Sequence, residues 1–198
     1  SIGSFEEYSE ALESVLELAA ELPRPWVGVA QSTGCAVIMD SLLHRKLDER
    51  FTLAHYVLLC PLLYPVGWSL SRYVFYLTRS FLPGIRRSFA RNSHDDSFLR
   101  FLREHDCLQA RTLPTAWVAA MADYQQRFAG AAQSGVPVQI IQGTDDGTVD
   151  WRKNLPLISE KFPAGKAYLL DDARHHLVNE SAVFRERLFA RLAGIIGP

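Results

Sequence analysis

Three kinds of residue in this chain could together run acyl transfer: a serine at Ser32, an acidic cluster at Asp145, Asp146 and Asp150, and the histidine pair His175-His176. A serine hydroxyl is a weak nucleophile at neutral pH. It needs an imidazole to take its proton and a carboxylate to hold that imidazole in the productive tautomer. Ser32, Asp146 and His175 are separated by 146 − 32 = 114 and 175 − 146 = 29 residues, so only a fold can bring them together. Around the serine runs Val29-Ala30-Gln31-Ser32-Thr33-Gly34. The small residues Ala30 and Gly34, two before and two after it, let the backbone double back without a side-chain clash. Taken alone, Ser32 could equally be a simple helix N-cap.

The elements around these residues decide between the two readings. A short apolar run, Trp26 to Ala30, reads as a buried strand, and the small residues from Cys35 to Leu43 read as the helix that leaves the turn. That helix would aim backbone N–H groups and its dipole at the place where negative charge develops, with Thr33 N–H as the first oxyanion donor. Val136 to Gln142 is a β-branched run delivering Gly143-Thr144-Asp145-Asp146 into a tight turn at its C-terminal end. Another strand, Ala167 to Leu170, leads into the loop bearing His175 and His176, and a helix follows from about Ser181 to Ile195. Three chemical residue types thus converge on the strand-end edge where open α/β sheets bind ligands.

At these residues the chain resembles the serine α/β-hydrolases of the monoacylglycerol lipase, lysophospholipase and serine aminopeptidase-like group. The likeness is carried by Gln31-Ser32-Thr33-Gly34, by Gly143-Thr144-Asp145-Asp146 with Val149-Asp150, and by Arg174-His175-His176-Leu177-Val178-Asn179-Glu180. It implies an α/β fold with a mostly parallel sheet and an inserted helical cap. It also implies a catalytic set of Ser32, Asp146 and His175, with Asp146 preferred to Asp145 or Asp150 and His175 preferred to His176. Ala30 departs from the family's Gly-x-Ser-x-Gly by one methyl group. The core is expected at 1–63 and 129–198, and the cap at 64–128.

Composition narrows the alternatives. At 198 residues and 48% hydrophobic content the chain can bury a full core. A net charge of −1 and the lack of a basic, aromatic-laced stretch argue against nucleic-acid binding. Cys35, Cys60 and Cys107 are odd in number and widely spaced, which indicates neither a disulfide framework nor a thiolate metal site. No cofactor or metal is expected. His94-Asp95-Asp96 reads as a helix N-terminus rather than a cation site. No apolar stretch is long enough to span a bilayer and no signal-peptide pattern opens the chain, so the expected location is cytoplasmic. A helix, Phe5 to Glu21, opens the chain, and the resembling family has several strands before it. This start reads as a cut. Residues 1–198 alone are therefore expected to be nearly inactive and to pair an exposed sheet edge with missing segments or another chain.

After the strand His55 to Cys60 the pattern changes to a run of helices up to about Phe128. The region holds 12 of the 22 aromatic residues: Tyr64, Trp68, Tyr73, Phe75, Tyr76, Phe81, Phe89, Phe98, Phe101, Trp117, Tyr124 and Phe128. Most would form the insert's own core, and several should face the catalytic edge or a lipid surface. Between Pro61 and Arg111, eight arginines (72, 79, 86, 87, 91, 100, 103 and 111) stand against Asp95, Asp96, Glu104 and Asp106, a local charge of +4. That balance suits peripheral contact with an anionic lipid surface as well as it suits solvated helix faces. The expected activity is hydrolysis of a lipophilic carboxylic ester, a small-molecule substrate of the monoacylglycerol or lysophospholipid kind. The rivals are a serine aminopeptidase-like amide hydrolase and a non-catalytic scaffold that keeps the fold.

Overall fold

The computed structural model describes residues 2–78, 84–86, 90–108 and 110–197. In chain order the elements are α1 (Glu6–Leu18), β1 (Trp26–Gln31), α2 (Thr33–His44), α3 (Leu47–Arg50), β2 (Leu53–Leu59), α4 (Trp68–Thr78), β3 (Gly84–Arg86) and α5 (Asp96–Glu104). There follow β4 (Thr112–Pro114), α6 (Thr115–Gly130), β5 (Val138–Gly143), α7 (Trp151–Lys161), β6 (Lys166–Leu170), a 3-10 turn (Leu177–Asn179) and α8 (Ala182–Ile196). Strands β1, β2, β5 and β6 pair in that order, each parallel to the next. The expected α/β architecture is therefore present.

The two central strands are covered on both faces, which shows why their sequences are largely apolar. Along β2, Tyr56 and Leu58 enter the core cluster containing α2 and α6, whereas Val57 and Leu59 enter the cluster under α8. Along β5, Val138 and Ile140 take the first side and Ile141 the second. Alternation of side chains across a doubly covered parallel sheet requires this. β5 begins at Val138 rather than at the expected Val136. Pro137 has no N–H to give a ladder, which accounts for the later start. β1 is an edge of the described sheet, and beside it an apolar groove of about 700 Å³ opens between Leu12 and Leu16 of α1 and Val27 and Val29.

α1 is fastened to the core by polar ties as well as by packing. Phe5 stacks on Tyr124 with ring centroids 4.6 Å apart, and Ser9 donates to the buried Asp40 at 3.1 Å. Glu13 accepts from Arg45 and Arg50 at 2.6 Å each, and these guanidinium groups, against the opposing effect of burial, hold its carboxyl down at about 2. A carboxyl held below its unfolded value stabilises the fold fully above that value of about 4.5, and the gain is lost as pH falls toward 2. Glu13→Gln is therefore expected to cost about 2 kcal/mol at neutral pH, after allowance for the solvent reached by the arginines. The loss should shrink below pH 4. Urea unfolding of both proteins at pH 7 and pH 3 measures it, and an equal loss at the two values would contradict this account.

Between β2 and β5, an antiparallel pair, β3 with β4, interrupts the run of helices expected from the sequence. Three-residue strands offer too few positions for a period of two to show. Trp68, Phe75, Tyr124 and Phe128 are all buried in the main core cluster, so packing accounts for these aromatics, while Tyr73 and Phe101 remain more than half exposed. Phe81, Phe89, Arg79 and Arg87 lie outside the described residues, as do the side chains of Tyr76 and Arg86. Among the described residues, no helix is long and apolar enough to cross a membrane.

Candidate active site

The strand ends place the candidate residues along one edge. Beyond the strands the ladder continues: Ser32 N–H donates to Leu59 O at 2.9 Å, Cys60 N–H to Ile141 O at 2.9 Å, and Thr144 N–H to Leu170 O at 3.2 Å. Ser32 after β1, Cys60 after β2 and Asp172 after β6 all adopt positive φ, at 54°, 47° and 62°. Such backbone costs of order 1–3 kcal/mol for a residue with a side chain and persists only where its surroundings over-determine it. Among the described residues one further non-glycine position has positive φ, Lys46 before α3, so three of the four lie at the C-terminal edge of the sheet.

Ser32 occupies a sharp strand-to-helix turn, with φ 54° and ψ −115°. Its carbonyl accepts from Cys35, Ala36 and Leu62 N–H, which pins the turn from both sides. A Cβ added at Gly34 would lie 3.4 Å from the Ala30 Cβ. This contact explains why Ala30 is tolerated two before the serine: the residue two after it has no side chain. Thr33 opens α2, so its N–H is among the first four that no helix carbonyl can accept.

Asp146 and His175 meet directly, His175 Nδ1 standing 2.8 Å from Asp146 Oδ2, and both side chains are nearly or fully buried. The carboxylate is saturated. Oδ1 accepts from Thr148 and Val149 N–H at 2.8 and 3.1 Å, and Oδ2 also accepts from Gln142 Nε2 at 3.1 Å. Burial pushes the Asp146 carboxyl up. His175 and the two turn N–H groups outweigh it, so the group sits below its ordinary value and is ionised at neutral pH. With Asp146 accepting at Nδ1, the other ring nitrogen of His175 is left to exchange a proton.

The neighbouring candidates point elsewhere. Asp145 pairs with Arg174 at 3.0 Å near the surface, Asp150 caps α7 by accepting from Lys153 N–H, and His176 receives Gln31 Nε2 at 3.0 Å. Ser32 is linked to the acid–base pair through that last bond, since Gln31 precedes Ser32 and His176 follows His175. Asp95 caps α5 as expected, accepting from Ser97 and Phe98 N–H.

Some residues of the site escaped sequence reasoning. Gln142, buried at the end of β5, was legible only as a polar residue in an apolar run. Cys60 stands so close that its Sγ, an Asp146 oxygen and a His175 nitrogen lie within 4.8 Å of one another. These three could nominally hold a cation. Every carboxylate acceptor position is already used, however, and burial beside the Asp146 charge raises the Cys60 thiol well above its ordinary value, so a metal would have to displace the whole network. Glu180 is also buried, and takes His94 N–H, Arg174 N–H and Ser181 N–H at 2.8, 2.8 and 3.0 Å.

A family model described as serine aminopeptidase, S33, matches residues 1–182. The fold is similar to that of monoacylglycerol lipase from Paleococcus ferrophilus, with 18% identity over 98% of this chain and 75% of that one, and a TM-score of 0.75. It is similar also to a soluble variant of monoglyceride lipase from Saccharomyces cerevisiae in complex with a substrate analogue, at 15% identity over 96% and 67% of the two chains and a TM-score of 0.77. An alpha/beta hydrolase from a Penicillium species matches at 11% identity over 97% and 71%, with a TM-score of 0.66. No curated protein sequence matches the chain.

Proposed function

The chain belongs to the serine aminopeptidase S33 family, and from that premise we propose that it is a serine hydrolase cleaving a lipophilic carboxylic ester through an acyl-enzyme. The observation that carries the reading is the buried Asp146–His175 pair at the sheet edge that also holds the strained Ser32 turn. Ser32 Oγ attacks the acyl carbonyl while His175 takes its proton, and Asp146 holds the ring and stabilises the imidazolium. Thr33 N–H stabilises the oxyanion. His175 returns the proton to the departing alcohol, then activates a water that hydrolyses the acyl-enzyme and frees Ser32.

An ester with an apolar acyl chain fits better than an aminoacyl amide. Leu70, Tyr73 and Leu77 lie on one side of α4, each at least 60% exposed, which gives the insert an apolar surface. The same triad cleaves amides, so a kinetic comparison separates the two. Medium-chain p-nitrophenyl esters are expected to give kcat/KM at least about 100-fold above aminoacyl p-nitroanilides, with kcat/KM rising along the acyl chain by the ordinary free energy of burying methylene groups. Preference for the aminoacyl amides would overturn the ester assignment and leave the nucleophile assignment intact.

A further inference from the structure

His176 sits beside the proposed base, yet it has no part in the proton relay. Its surroundings tie together the main pieces of the site. On one side Gln31 Nε2 donates to His176 Nδ1 at 3.0 Å, across 145 residues of sequence. The two residues bonded are the one before Ser32 and the one after His175. On the other side the insert holds it: His176 N–H donates to Asn92 O at 2.9 Å, and the Phe98 ring of α5 meets the imidazole edge-on with centroids 5.3 Å apart. The His175 and His176 rings lie 5.4 Å apart, nearly perpendicular.

The contacts continue along both segments. Arg174 donates to Ser93 O at 3.0 Å, Ser93 Oγ donates to Asn179 O at 2.7 Å, and His94 binds the buried Glu180 through both its backbone and its ring. The start of α5 and the loop from Arg174 to Ser181 therefore form one body. The Gln31–His176 contact joins that body to the residue next to the serine by side chains. A loop whose base must meet a nucleophile on another strand needs such a tie, because a misplacement of about 1 Å can cost about 100-fold in rate.

We propose that His176 is a positioning residue: through Gln31 it sets the reach of His175 toward Ser32, and through Asn92 and Phe98 it fixes that setting to the insert. The proposal rests on the serine-hydrolase reading above. With Gln31 Nε2 as the donor, His176 Nδ1 is the acceptor of this bond.

The test compares two substitutions of similar size. His176→Asn keeps an acceptor near the Nδ1 position, whereas His176→Leu removes it. In the full-length protein, with a fluorophosphonate probe, His176→Leu and Gln31→Leu are each expected to react at least about tenfold more slowly than wild type, with unchanged melting temperature. His176→Asn should stay within about threefold, and the Gln31→Leu/His176→Leu double variant should be no slower than either single one. In ester turnover the loss should fall on kcat and leave KM unchanged. Unchanged labelling in the leucine variants, or losses that multiply in the double variant, would overturn the proposal. Failure of the wild type to label would instead sink the nucleophile reading. Even then, imidazole nitrogen NMR decides the positioning claim: Gln31→Leu should change the His176 tautomer and move the His175 ring signals, and unmoved His175 signals would refute it.

Discussion

In the full-length protein, Ser32→Ala is expected to remove ester turnover almost entirely, with kcat falling about a million-fold while the fold is kept. The size follows from the way such residues act as a unit: without the hydroxyl, the imidazole and its carboxylate have nothing to activate, and what survives comes from oxyanion contacts and binding alone. The fold should tolerate the change, because the hydrogen bonds that pin this turn run through the Ser32 backbone N–H and C=O. Alanine carries the same φ penalty at 54° as serine does. Turnover of a p-nitrophenyl ester by the variant, beside its circular dichroism and melting temperature, measures both halves. A variant retaining more than a few per cent of wild-type kcat would place the nucleophile elsewhere.

The second large effect lies at Gly143, where β5 ends and the turn to Asp146 begins. A Cβ there would stand 2.3 Å from Ala173 O and 2.6 Å from Arg174 O. Both are backbone atoms of the loop that carries His175, so no side-chain rotation relieves the clash. Gly143→Ala must push that loop away from the strand end, through the segment where Asp145 N–H donates to Ala173 O at 3.0 Å. We expect a destabilisation of about 3 kcal/mol, at the upper end of overpacking effects, together with a loss of activity exceeding what the unfolded fraction explains. Gly147, in the same turn, is a control: a Cβ added there meets nothing within 4 Å. Gly147→Ala should leave stability within about 0.5 kcal/mol of wild type. Equal melting temperatures for the two variants would show that the close approach at Gly143 is not what holds the loop.

The parts of this architecture that were legible in the sequence share a local cause. Strands β2 and β5 are read from short apolar runs because both their faces are covered, β1 and β6 from their β-branched, aliphatic and aromatic residues, and Gly143-Thr144-Asp145-Asp146 is read as a turn because its residue types leave little else to form. Residues whose partners are remote behaved otherwise. Gln31 finds His176 across 145 residues, and Glu180 finds His94 across 86, and no period in the sequence reports such pairs. α7 was hidden for another reason. Pro156 lies inside it, and a helix-interior proline argues against a helix even where tertiary packing of Ile158 prevails. The β3–β4 pair was too short to register. Placement was thus readable where it depends on residue type at a strand end, and unreadable where it depends on which loops the fold presses together.

The central claim is that Ser32 is an activated nucleophile served by His175 and Asp146. The most direct measurement treats the full-length protein and its His175→Ala variant with a fluorophosphonate probe and maps the adduct by peptide mass spectrometry. The account predicts a single modification, on the peptide containing Ser32, formed within minutes by the wild type and nearly absent from the variant. An adduct on another residue, or equal labelling of Ser32 with and without the imidazole, would contradict it.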